Sequence, residues 1–71
     1  MSYKIKMMWD NDVSVWIATS DEIKGLVLEH NPFDALIEKI KAAVPELLKL
    51  NKQVPATELQ FTSSRSERVY A

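Results

Sequence analysis

The chain has 71 residues, 46% hydrophobic and 27% charged, and nine Lys+Arg against ten Asp+Glu leave a formal net charge of −1. That is enough for one small globular domain, which excludes a two-domain enzyme and any overall basic field that would draw the chain onto nucleic acid or an anionic membrane. With no cysteine and a single histidine, disulfides and thiolate zinc cages are excluded too, so self-association is the expected extra support for a core this small. The opening residues, Met1-Ser2-Tyr3-Lys4-Ile5-Lys6, alternate where a secretory signal or membrane span would be uninterruptedly apolar, and the expectation is a cytoplasmic protein with no membrane partner.

Tyr3, Ile5, Met7 and Trp9 alternate with Lys4, Lys6 and Met8, the period of a half-buried strand. Asp10-Asn11-Asp12-Val13-Ser14 carries turn chemistry, and Val15-Trp16-Ile17-Ala18-Thr19-Ser20 reads as a second strand antiparallel to the first. The expected register sets Trp9 against Val15, Met8 against Trp16 and Met7 against Ile17. Gly25, the only glycine, marks a turn whose backbone a residue with a Cβ would resist. Leu26-Val27-Leu28-Glu29 is the third strand.

Asn31-Pro32-Phe33-Asp34 reads as a helix start, with Asn31 as the cap, Pro32 in the first helical position and an acid in the first turn. Phe33, Leu36, Ile37, Ile40, Val44, Leu47 and Leu48 then recur at three- and four-residue steps, one apolar stripe of an amphipathic helix. Pro45 removes a backbone donor inside it, so a kink or break is expected near Ala42 to Val44. After a loop at Asn51 to Pro55, Thr57 to Thr62 alternates again as a fourth strand with Leu59 and Phe61 inward. The expectation is an α+β domain over residues 1–62, in the order βββαβ, with an antiparallel sheet and a helix on one face, and a flexible tail over residues 63–71.

One helix covers one sheet face. The expected register leaves Lys4, Lys6, Met8, Trp16 and Ala18 on the other, an apolar patch flanked by lysines that reads as a partner or dimer interface. The candidates for chemistry are sparse. Asp10-Asn11-Asp12 lacks the glycine and closing glutamate of a calcium loop, and His30 stands before the helix with no visible partner. Ser63, Ser64 and Ser66 lie in the tail, and one glycine cannot make a phosphate loop. Neither a cofactor nor a metal nor catalysis is expected, and nucleic acid is not an expected direct partner.

Four stretches carry a family resemblance: Ile5 to Asp10, Val15 to Ser20, Ile23 to Val27, and Phe33 to Ile37. Together they resemble the HicB-like antitoxin superfamily, most nearly a short single-domain branch of unknown function that is marked by Ala43-Val44-Pro45-Glu46-Leu47-Leu48 with Leu50-Asn51. The chain departs from the family pattern at Lys24, where proline is common, and at Pro32, where threonine or serine is common. The resemblance implies a partial ribonuclease H-like fold and a non-catalytic domain that binds and neutralises HicA, a small basic toxin that cleaves messenger RNA. Longer relatives add a C-terminal DNA-binding domain that represses their own operon, and nothing after Phe61 is long enough to be one, which leaves autorepression open. The alternative from the residues alone is a self-associating structural protein.

Overall fold

In a computed structural model, which describes residues 1–70, the chain forms β1 (Ser2–Asp10), β2 (Val15–Thr19), β3 (Val27–His30), α1 (Phe33–Leu50) and β4 (Glu58–Ser64). The sheet order is β3-β2-β1-β4, with β1/β2 and β2/β3 antiparallel and β1/β4 parallel. The sheet is therefore mixed, which corrects the all-antiparallel expectation. Two hairpin reversals return β3 to the direction of β1, and a chain that leaves β3, crosses the sheet as a helix and re-enters at the far edge must run parallel again.

The β1/β2 register differs by one residue from the expected one: Trp9 faces Trp16, Met8 faces Ile17 and Met7 faces Ala18. Asp10 joins the ladder opposite Val15, leaving a loop of Asn11 to Ser14. Asp10 Oδ1 accepts from the Asp12 N–H at 2.9 Å, and Ser14 takes a left-handed backbone, φ +54°, to bring the chain into β2. Because side chains alternate faces, that single step moves Trp16 and Ala18 to the helix side. Ala18 is 0% exposed, and Trp16 packs edge-on against Phe33 of α1 with ring centroids 4.8 Å apart.

The core lies between sheet and helix: Tyr3, Ile5, Met7 and Ala18 from the strands, Leu36, Ile40, Val44 and Leu48 from α1, and Ile23 and Leu26 from the β2–β3 connection. The connection is tied down by side chains: Ser20 Oγ donates to the Lys4 carbonyl at 2.7 Å and accepts from the Ile23 N–H. Glu22 accepts from the Lys4 N–H at 2.6 Å. These contacts continue the β1 ladder beyond the end of β2 and hold Ile23 inward. Tyr3 satisfies its buried hydroxyl by donating to the Val54 carbonyl at 2.7 Å.

Two terminal details differ from expectation. The helix cap is Pro32, in extended conformation and without a side-chain cap bond, after a cis Asn31–Pro32 peptide; the helix begins at Phe33. Asn31 instead donates from Nδ2 to the Ser14 carbonyl at 3.4 Å, and a residue turned toward the β1–β2 loop cannot also cap α1. The helix also runs unbroken through Pro45, which is exposed, so the carbonyl left without a partner at Lys41 faces water rather than the core. At the other end, Gly25 adopts φ +85°, and a Cβ there would meet Leu47 Cδ2 at an ordinary 3.7 Å, so backbone conformation alone sets the need for glycine.

Candidate functional site

The face of the sheet away from α1 is built from the even residues of β1 and their neighbours. Lys6 stands between Thr19 and Thr62, with Val27 beyond Thr19, and Met8 stands between Ile17 and Ser64, with Glu29 beyond Ile17. Among the described residues no helix or loop lies over this face: Met8 is 56% and Val27 70% exposed. Lys4, Lys6 and Met8 thus share the surface that the alternation of β1 assigns to them, whereas Trp16 and Ala18 do not. Ile17 takes Trp16's place, and its signal was hidden because Val15, Trp16, Ile17 and Ala18 are all apolar.

The charges around this patch divide by position. Lys6 Nζ pairs with Asp21 at 3.0 Å, and Glu22 is engaged by the Lys4 backbone, an arrangement largely in water and worth little energetically. Asp10, Asp12 and Glu29 have no cation partner within ion-pair distance among the described residues. Asp10 and Asp12 line an open hollow of about 430 Å³ together with Met8, Ile17 and Thr19, and Glu29 adjoins Ile17. The apolar centre is thus bordered by acid on the side of the β1–β2 loop.

Two other surfaces stand out. Between α1 and β4 runs an open apolar groove of about 370 Å³ floored by Leu59 and Phe61 and walled by Val44, Pro45 and Ala56. It adjoins a second hollow of about 580 Å³ at the end of α1, where Pro45 and Ala56 meet Leu48 and Pro55. On the helix side near the β1–β2 loop, Trp9 packs edge-on against Trp16 at 5.5 Å, and the Arg65 guanidinium lies 4.1 Å over the Trp9 ring. Trp9 Nε1 donates to Asn11 Oδ1 at 2.7 Å, and Asn11 Nδ2 donates to the Ser66 carbonyl at 3.4 Å. Ser63 and Ser64, expected in the tail, instead complete β4. His30 is half-buried at the end of β3, opposite Trp16.

Among the described residues, no three His, Cys, Asp or Glu side chains converge as a metal site, and no helix is long and apolar enough to cross a membrane. The sequence model of a domain of unknown function, DUF1902, matches residues 2–71. The chain belongs to that family. A crystal structure of a hypothetical protein from the extremely thermophilic bacterium Thermus thermophilus is similar to this DUF1902 chain over 100% of both, with a TM-score of 0.77 and 27% sequence identity. No curated protein sequence matches the chain. In this chain the DUF1902 fold is a small α+β domain in which one sheet face carries the helix and, among the described residues, nothing lies over the other.

Proposed function

We propose that this DUF1902 chain is a non-catalytic, cytoplasmic protein-binding module that works through the uncovered face of its sheet, and that its partner is a small basic protein. The carrying observation is that face: Met8 and Val27 exposed beside Ile17, with Asp10, Asp12 and Glu29 bordering them. An apolar centre excludes water from a contact, and an acidic border steers a basic partner onto it. The HicB-like resemblance of the sequence supplies the partner's class, a HicA-like RNA-cleaving toxin held inactive by the complex. On this reading the fold is the HicB-like, partial ribonuclease H-like one, which the βββαβ order supports, and the chain touches no nucleic acid itself.

The test is capture from host lysate with wild type and Met8→Arg side by side, Met8 being exposed enough for the substitution to leave the fold intact. A small basic protein retained by wild type and lost from Met8→Arg supports the proposal, and inhibition of that protein's RNA cleavage by the chain is the second readout. Equal retention by both, or no such protein from either, overturns it.

A further inference from the structure

We infer that the chain just past β4, Arg65 to Arg68, is a strap that closes over Trp9 and holds the β1–β2 loop, and with it the acidic border of the uncovered sheet face, in one arrangement. Its effect on partner binding rests on the function proposed above, whereas the strap itself rests on geometry. The loop needs such a holder. Asn11 to Ser14 are all exposed and Ser14 is left-handed, so burial does little to fix a loop that carries Asp12 and adjoins Asp10. Its β2 end is tied by Asn31 Nδ2, which donates to the Ser14 carbonyl at 3.4 Å. Its β1 end is left to the strap.

The β1/β4 ladder ends with Met8 opposite Ser64, and one further step of the same parallel register sets Arg65 beside Trp9, with alternation sending both to the helix side. There the Arg65 guanidinium lies 4.1 Å over the Trp9 ring, held by Glu67 at 2.6 Å from Arg65 Nε. Asn11 joins strap to loop. Its Oδ1 accepts from Trp9 Nε1 at 2.7 Å and its Nδ2 donates to the Ser66 carbonyl at 3.4 Å, so one side chain ties the indole beneath the strap to the strap's own backbone. Asn11 stands between Asp10 and Asp12, and it lines both the hollow they share with Met8 and Ile17 and a hollow of about 350 Å³ shared with Ser66 and Arg68. Fixing Asn11 fixes where the two carboxylates stand against the uncovered face.

The strap is built to open without unfolding the domain. Its contacts are few and polar, Arg65 is 47% exposed, and none of its residues belongs to the core. Contacts of that kind break locally at a cost far below that of global unfolding. Closed, the strap presents two carboxylates already placed, which spares a basic partner the cost of ordering them.

Nuclear magnetic resonance of the full chain tests this. The Arg65 side chain is expected to show the upfield shift of a group stacked over an indole ring. Arg65 bonds to Glu67 rather than to the loop, yet Arg65→Ala is expected to speed hydrogen exchange at the Asp12 amide and the Trp9 indole N–H about tenfold. Arg65→Lys, which keeps a cation for the ring, is expected to fall between. Asn11→Ala is expected to remove most of the Arg65 upfield shift. Hexalysine serves as the basic probe, and its binding is expected to weaken about threefold in Arg65→Ala, through lost ordering of the border, although removal of a positive charge alone would tighten it. Circular dichroism confirms that each variant is folded. An unshifted Arg65 in wild type overturns the inference, as does an Asp12 amide indifferent to Arg65→Ala, an Arg65 shift untouched by Asn11→Ala, or hexalysine binding that holds or tightens in Arg65→Ala. Failure to capture a basic protein, with these results as expected, would sink the proposed function and leave the strap standing.

Discussion

Lys52 holds a left-handed backbone, φ +55°, just past the end of α1, where the Lys52 N–H donates to the Lys49 carbonyl and the Gln53 N–H donates to the Leu48 carbonyl at 2.8 Å. This is the helix-ending arrangement that glycine usually serves, because a Cβ in that conformation crowds the following carbonyl. Its neighbours repay the strain: Asn51 Nδ2 donates to the Lys24 carbonyl at 2.7 Å and Gln53 Nε2 to the Glu22 carbonyl at 2.8 Å, so the helix end fastens the β2–β3 connection. Lys52→Gly is expected to stabilise the chain by about 0.5–1 kcal/mol, since relief of strain outweighs the extra freedom of the unfolded glycine. Gly25→Ala is expected to do the reverse by about 1 kcal/mol, through backbone strain alone because its Cβ would meet nothing closer than 3.7 Å. Thermal unfolding followed by circular dichroism reads both, at about 4–8 °C per kcal/mol for a domain of this size.

At the scale of elements, Met7 and Met8 are adjacent in the chain and opposite in environment, 1% and 56% exposed. Met7→Ala is expected to cost about 2–5 kcal/mol in urea unfolding as a core truncation, and Met8→Ala to stay within about 0.5 kcal/mol as a surface change. Equal costs would contradict the one-residue register. Trp16→Glu belongs to the same test: it would place a carboxylate against Phe33 and Trp9, so it is expected to unfold or strongly destabilise the domain, with loss of the near-ultraviolet tryptophan signal.

This is also where the sequence was least legible. The four strands and the helix could be read because Tyr3/Ile5/Met7, Leu59/Phe61 and the stripe from Phe33 to Leu48 each keep one period. Register could not, since Met7-Met8-Trp9 and Val15-Trp16-Ile17-Ala18 are apolar on both faces, and a strand without alternation does not declare which face is buried. The turn decided it: with Asp10 in the ladder and Ser14 left-handed, four residues suffice to reverse the chain. So Lys4, Lys6 and Met8 were readable as one surface, Ile17 was not, and Ile23 was hidden in a connection whose inward turn depends on Ser20 and Glu22.

For the whole molecule, the decisive asymmetry is that α1 leaves an open groove beside β4 while, among the described residues, the sheet's other face carries no layer at all. A 71-residue chain without disulfides buries a modest share of its surface, so stability gained between copies weighs heavily. If copies of the chain associate and unfold as they dissociate, stability must depend on protein concentration by mass action. An unfolding enthalpy of about 0.7 kcal/mol per residue implies about 100 kcal/mol for two chains, and hence a melting temperature rising about 5 °C for each tenfold increase in concentration. Calorimetry over a hundredfold range is expected to show that slope for wild type, and its loss in Met8→Arg would locate the contact on the uncovered sheet face. A melting temperature independent of concentration in wild type would show that each chain stands alone.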